Sequence, residues 1–258
     1  LSNYHQIQIS LTKGKKIYFA SDLHLGAPNY KESRKREVAF VNWLSSIEND
    51  AEAIFLVGDI FDFWFEYEQV VPKGFVRLLG KFTSIADKGI PIYIFTGNHD
   101  LWMEDYFTSE IGAKVLHKPA KINCQSKLFF IGHGDGLGPG DTKFKILKKI
   151  FTNPVCKWLF RWLHPDIGIK IALMWSKHSH TKPQEEEYMG DENEFLVQYV
   201  TRKSKTIKAD YFIFGHRHLP MEKQINKSIY VNLGEWFYNK SFASFDGEEL
   251  KLEKYEKG

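Results

Sequence analysis

An α/β fold built around a polar, metal-seeking centre is predicted by three observations on this 258-residue chain. Five short apolar runs read as buried strands, and each ends in Asp, His or Asn: IYFASDLHLG (17–26), AIFLVGDIFD (53–62), PIYIFTGNHD (91–100), LFFIGHGD (128–135) and YFIFGHRH (211–218). Stretches with helical periodicity follow the first three runs. A basic, aromatic-rich helical stretch separates the fourth run from the fifth. Loops beyond the carboxyl ends of strands in an α/β sheet lie together and host the chemistry. Five such runs in order imply one centre assembled from most of the chain.

Residues 33–48 carry Val38, Val41, Trp43, Leu44 and Ile47, and residues 73–87 carry Phe75, Leu78, Leu79, Phe82 and Ile85. Both sets approximate the i, i+3, i+4, i+7 stripe of an amphipathic helix. Strands alternating with helices favour a sheet with helices packed outside it. The pattern changes at Gly136, where GLGPGD forms a turn. Three short helices are predicted next: one through TKFKILKKIFT, one over 155–163 and one over 166–180, with Pro154 and Pro165 as breaks. The first sets Phe144, Leu147 and Phe151 on one side and Lys145, Lys148 and Lys149 on the other. An acidic run, QEEEYMGDENE, then leads into a helix over 192–205. The tail from Ser228 alternates like antiparallel strands, with an Asp-Gly turn signal at 246–247. The expected organisation is a core of 1–135 and 184–258 carrying an inserted helical cap, 136–183.

Composition narrows the class. An apolar content of 43% with near-balanced charge indicates a globular protein. Two cysteines, Cys124 and Cys156, are too few for a disulfide framework, and both are expected to be inert buried thiols. The polar, basic amino terminus does not resemble a signal peptide, and no run approaches a membrane span of ~18 residues, so the cytosol is the expected compartment. The net charge of +3 does not by itself imply a nucleic-acid partner. Its distribution is uneven, however. Residues 136–183 hold nine Lys/Arg against two Asp, a local excess of seven that exceeds the charge of the whole chain.

The candidate ligands are Asp22 and His24 in DLH, Asp59 in GD, Asn98 in GNHD, His133 in GHGD, and His216 and His218 in GHRH. In extended backbone, residues i and i+2 share a face, so each D-x-H or H-x-H pair is expected to address one site. Imidazole, carboxylate and amide oxygen without thiolate suit manganese, iron or zinc. Seven ligands exceed the needs of one ion and fit two ions bridged by a carboxylate. A single His beside a strand, or a single Asp after one, has an ordinary structural explanation. Five strand ends accumulating these residue types together do not.

The set D-x-H, G-D, G-N-H-D, G-H, G-H-x-H, complete and in order over residues 22–218, resembles the calcineurin-like metallophosphoesterases. The resemblance implies a four-layer αββα sandwich with two divalent ions, manganese ahead of iron or zinc. It assigns Asp22, His24, Asp59 and His218 to one ion, and Asp59, Asn98, His133 and His216 to the other. The mechanism it implies is in-line attack of a bridging hydroxide on phosphorus while the metals neutralise the phosphoryl oxygens. His99, beside Asn98, is placed outside the metal shell, facing a phosphate oxygen or the leaving group. Asp100 is expected either to orient His99 or to cap a helix.

GDIFDFW (58–64), HGDGL (133–137), GHRHLP (215–220) and LGEWF (233–237) further resemble the branch containing UDP-2,3-diacylglucosamine diphosphatase. That resemblance implies cleavage of a nucleotide-linked, doubly acylated glucosamine to lipid X and UMP during lipid A synthesis, at the cytoplasmic face of the inner membrane, with peripheral attachment and no nucleic-acid partner. Oligomeric state is left open. It places Asn98, His99, Asp141 and Ser176 at the substrate. The chain departs from the branch in having His99 where Arg is usual, and His180 and Pro183 where the pattern after Ser176 has Asn and Lys. Cap helices rich in Phe, Trp, Leu and Ile with basic flanks suit an acylated diphosphate and an anionic bilayer. Two alternatives stand beside this reading. One is the same chemistry on a soluble phosphoester or nucleic acid; the other is a non-catalytic module, which predicts eroded ligands.

Overall fold

A computed structural model describes residues 4–138, 142–179 and 187–256. The first half of the chain contains β1 (His5–Ile9), β2 (Lys16–Ala20), α1 (Tyr30–Ile47), β3 (Ala51–Val57), α2 (Val76–Asp87), β4 (Ile92–Phe95), α3 (Tyr106–Ser109), β5 (Lys114–Leu116), β6 (Ala120–Cys124) and β7 (Lys127–Ile131). Four helices follow: α4 (Thr142–Phe151), α5 (Pro154–Arg161), α6 (Pro165–Ser179) and α7 (Phe195–Lys203). The chain closes with β8 (Tyr211–Phe214), β9 (Met221–Ile225), β10 (Ser228–Asn232), β11 (Ser241–Phe245) and β12 (Leu250–Lys254).

Among the described residues the strands form two six-stranded mixed sheets, ordered β1-β6-β7-β8-β10-β9 and β12-β11-β2-β3-β4-β5. Side-chain alternation explains how they stack. Ile17 and Phe19 of β2 enter a core shared with Phe129 and Ile131 of β7, which lies between the sheets. Tyr18 and Ala20 point the other way, into a core with Phe40, Trp43, Leu78 and Phe82 of α1 and α2. On the far face of the first sheet, Phe130, Phe212 and Phe214 pack against Leu196, Val197 and Val200 of α7. The order of layers is therefore helix, sheet, sheet, helix, as the family resemblance implies.

Strands β2, β3, β4 and β5 run parallel, as do β7, β8 and β10. Within each sheet the strands that precede the polar motifs consequently end on one edge. This parallel arrangement delivers the site.

Several boundaries differ from expectation for local reasons. Helix α1 begins three residues earlier because the Asn29 side chain accepts the Glu32 N–H at 3.1 Å, an N-cap. Its buried face uses Phe40, Trp43, Leu44 and Ile47, whereas Val38 is exposed. Helix α2 starts only at Val76, since Phe75 has a left-handed φ of 57°. The tail is not one antiparallel unit. Strands β11 and β12 form the predicted hairpin, but β10 joins the other sheet, parallel to β8 and antiparallel to β9.

Helices α4, α5 and α6 occupy the stretch between β7 and α7. Asn153 caps α5, and Pro154 fills its first position. No residue of α5 is buried, and Val155, Trp158 and Leu159 on it, with Trp162 just beyond, are more than half exposed. No helix among the described residues is long and apolar enough to cross a membrane.

Candidate metal centre

The seven candidate ligands converge at the strand ends. Asp22, His24 and His218 offer ligand atoms within 4.8 Å of one another, and so do Asp59, His133 and His216. In the first group His24 Nε2 lies 3.0 Å from His218 Nε2, and His218 Nε2 lies 3.1 Å from Asp22 Oδ1. In the second, His133 Nε2 is 3.2 Å from both Asp59 Oδ2 and Asn98 Oδ1. Asp59 Oδ2 is also 3.7 Å from His24 Nε2, so this one oxygen faces both groups. Donor atoms ~2.0–2.2 Å from a shared ion stand roughly 3–3.6 Å apart. The observed spacings match that geometry, and the converging lone pairs call for a cation. The residues fit two divalent ions.

The backbone achieves this in a way that i, i+2 spacing does not describe. Asp22, His24, Asp59, His216 and His218 all have positive φ, between 42° and 66°. They are left-handed rather than extended, a region that Asp and His enter more readily than most side chains. One pair stays together in a single group, but His216 and His218 separate into different groups. Glycines make the close approach possible. A Cβ at Gly97 would run into the Asp59 carboxylate, and one at Gly215 into Ser21 and Asp22.

Orientation is fixed behind the ligands. His133 Nδ1 lies 2.8 Å from the Val57 carbonyl, which can only accept, so Nδ1 carries a proton and Nε2 is the nitrogen turned to the centre. His24 Nδ1 faces Asp62 Oδ1 at 3.8 Å. Burial pushes His24 down to about 3 and His216 to about 4, leaving both imidazoles neutral. Burial opposes ionisation of Asp22 and Asp59, but the surrounding histidines prevail and hold both carboxyls below the usual range. Burial likewise opposes protonation of His133, yet Asp59 raises it to about 10.

His99 occupies the rim. Its ring meets that of His24 edge-on, with centroids 4.8 Å apart, and its backbone N–H donates to Asp59 Oδ1 at 2.9 Å. One of its ring nitrogens also falls within 4.8 Å of ligand atoms on His24 and Asp59, nearer the centre than expected. Asp100 takes neither of its expected roles. Its carboxylate accepts from Ile60 N at 2.8 Å and Gly97 N at 2.7 Å, tying the GD loop to the GNHD loop, and the next helix begins only at Tyr106. Burial and the Asp59 charge push Asp100 up to about 7. The neighbour of His99 is instead Asp62, whose carbonyl lies 3.1 Å and carboxylate 3.7 Å from His99 Nδ1. Asp62 was legible within GDIFDFW, but nothing in the sequence distinguished it from a strand-end carboxylate. Asp141 lies outside the described residues, and of Ser176 only its position in α6 is described.

Beside the centre opens a chamber of about 470 Å³. Asn98, His99 and Asp62 form its polar end, Phe63, Leu101 and Trp102 its body-side wall, and Leu147, Phe151, Phe160 and Ile171 are among the helical residues opposite. Trp102 couples the two walls, donating from Nε1 to the Phe151 carbonyl at 2.6 Å and packing against Phe160. Cys124 is buried as expected, but Cys156 is half-exposed and lines the chamber. Lys148 does not simply face solvent, since it pairs with Asp135 two residues after His133.

A family model described as calcineurin-like phosphoesterase matches residues 15–220. The chain belongs to that family. As a calcineurin-like phosphoesterase it is a metal-dependent hydrolase, and the two convergent groups are its candidate sites for divalent ions. It is 35% identical over 257 residues to a UDP-2,3-diacylglucosamine hydrolase of Porphyromonas gingivalis, covering 93% of this chain and 98% of that one. Hydrolases of the same name from Actinobacillus succinogenes and Haemophilus influenzae are 26% and 28% identical, covering 92% and 89% of this chain and 98% and 93% of theirs.

Proposed function

We propose that this phosphoesterase cleaves the diphosphate of UDP-2,3-diacylglucosamine, yielding 2,3-diacylglucosamine 1-phosphate and UMP in the lipid A pathway. The observation that carries this reading is the apolar chamber opening directly onto Asn98 and His99. A soluble phosphoester has no use for such a chamber, whereas acyl chains gain about 0.8 kcal/mol per buried CH₂. The names of the relatives, which cover nearly the whole chain, point to the same substrate.

Asp22, His24, Asp59 and His218 would hold one ion and Asp59, Asn98, His133 and His216 the other, with Asp59 bridging and manganese the resident metal. Divalent ions there supply Lewis acidity and lower the pKa of water to near neutrality. The chain's own groups do the rest. His99, held by Asp62 and by its backbone bond to Asp59, donates a hydrogen bond or proton to the phosphoryl oxygens or leaving group. Asn98 aligns the diphosphate at the chamber mouth, and the apolar walls exclude water from the acyl chains.

Residues 136–183 act as a cap on a core of 1–135 and 184–258, with Asp141 and Ser176 contributing to substrate binding. The exposed Val155, Trp158, Leu159 and Trp162, flanked by Lys157 and Arg161, suit insertion into an anionic bilayer. This supports a cytoplasmic enzyme attached peripherally to the inner membrane. The test is to incubate manganese-loaded protein with UDP-2,3-diacylglucosamine, with UDP-glucosamine lacking acyl chains and with a simple phosphodiester. The acylated nucleotide should be strongly preferred. Equal rates on the first two would make the soluble-phosphoester reading the better one.

A further inference from the structure

One charged side chain outside the ligand set is buried against the turn that carries Asp22 and His24. Arg36, on α1, is 6% exposed. Its Nε donates to the Leu23 carbonyl at 2.5 Å, and its Nη2 donates to the carbonyls of His24 at 2.7 Å and Ala27 at 2.6 Å. The guanidinium carbon sits 3.9 Å over the Phe237 ring. Burial lowers Arg36 to about 10, with Asp62 and Glu235 opposing, so the group remains charged at neutral pH.

The placement of these bonds matters more than their number. The Leu23 carbonyl belongs to the peptide plane preceding His24, and the His24 carbonyl to the plane following it. The opposite ends of the same two planes are held by the partner loop: His24 N–H donates to Asp59 O at 2.9 Å, and Leu25 N–H to Ile60 O at 3.0 Å. Four hydrogen bonds thus fix both dihedrals of His24, and Arg36 supplies two. His24 needs such restraint because its φ of 42° lies in the left-handed region, which is disfavoured for residues other than glycine. A planar fork reaches several carbonyls at once, which an ammonium does not do equally well.

We propose that Arg36 is the positioning residue of the first metal site: by locking both peptide planes that flank His24, it sets the direction from which the imidazole meets the ion. This rests on the assignment of Asp22, His24 and His218 as ligands of one ion. Arg36 bonds to the backbone on either side of His24 and to none of Asp59, His133 or His216, so its removal should weaken the first site more than the second. Neighbours that orient ligands typically alter metal affinity or activity by about 10–100-fold when removed.

The experiment is calorimetric titration of the metal-free full chain with Mn²⁺, with thermal unfolding before and after loading. The variants are Arg36→Lys, Arg36→Met and, as reference, His218→Ala. Unaltered protein should bind two ions, and His218→Ala should weaken one. Arg36→Met should weaken that same site by about 10–100-fold and leave the other near its normal affinity. Arg36→Lys should recover part of the loss. If Arg36→Met does not fold, Arg36→Gln, which keeps donors without the charge, takes its place. A merely structural role would lower unfolding temperature equally with and without metal while leaving both affinities unchanged. That result, or equal weakening of both sites, overturns the proposal. Failure of His218→Ala to weaken any site would instead overturn the ligand assignment.

Discussion

Narrowing the chamber should separate recognition of the acyl chains from the chemistry. Ala172, on α6, lines the space of about 470 Å³ without reaching the metal centre. Ala172→Trp places an indole there. Each methylene excluded forfeits about 0.8 kcal/mol, or ~4-fold in kcat/KM. An indole displacing three methylenes should therefore cost about 2.4 kcal/mol, ~60-fold, on the diacylated nucleotide. The seven ligands are untouched, so kcat/KM on UDP-glucosamine without acyl chains should stay within about 2-fold of its starting value. The assay is steady-state release of UMP from both substrates in detergent, with metal content determined on the same samples. An equal loss on both substrates would refute the reasoning, because it would mean that the chamber supports the centre and not the chains. No loss on either would mean that the acyl groups lie elsewhere.

Three further outcomes are expected. Asp59→Ala should lower kcat by ~10³-fold or more, since its carboxylate faces both groups; near-normal turnover with two bound ions would contradict a shared site. His99→Ala should lower kcat by ~10²–10⁴-fold with metal content preserved, the scale of a positioned acid–base group, and loss of an ion in that variant would make His99 a ligand. Trp158→Ser or Trp162→Ser should weaken binding to anionic vesicles by about 10-fold in a flotation assay, while turnover of detergent-solubilised substrate is unchanged.

Much of the site was legible in the sequence because it depends on residue type at strand ends. Asp22, His24, Asp59, Asn98, His133, His216 and His218 are chemically unusual after apolar runs, and no local structural role explains all of them. What escaped was what three-dimensional closure decides. The left-handed backbone of five ligands has no side-chain signature, since Asp and His occur in both extended and left-handed conformations. The partner of His99 was sought next door in sequence, at Asp100, but the fold brings Asp62 in from another strand end. Cys156 is only partly buried because no residue of α5 is buried in the fold, and helical periodicity does not say how deeply a helix packs. In the fold, the strands followed by helices were readable. Strands β1, β5, β6 and β9 were not, because they are short, partly polar or at sheet edges, and pairing rather than composition makes them strands.

Strands β7 and β8 are adjacent and parallel, so the chain must leave the sheet and return between them whatever it carries on the way. Helix α7, packed on the sheet, already satisfies that geometric need. The stretch from α4 to α6 is thus an excursion that the sheet does not require. Exchanging it should therefore leave strand order and register unaltered. If the cap proposed above sets the substrate, exchanging that segment for a foreign one should change which phosphoester is cut while leaving the strand-end ligands in place.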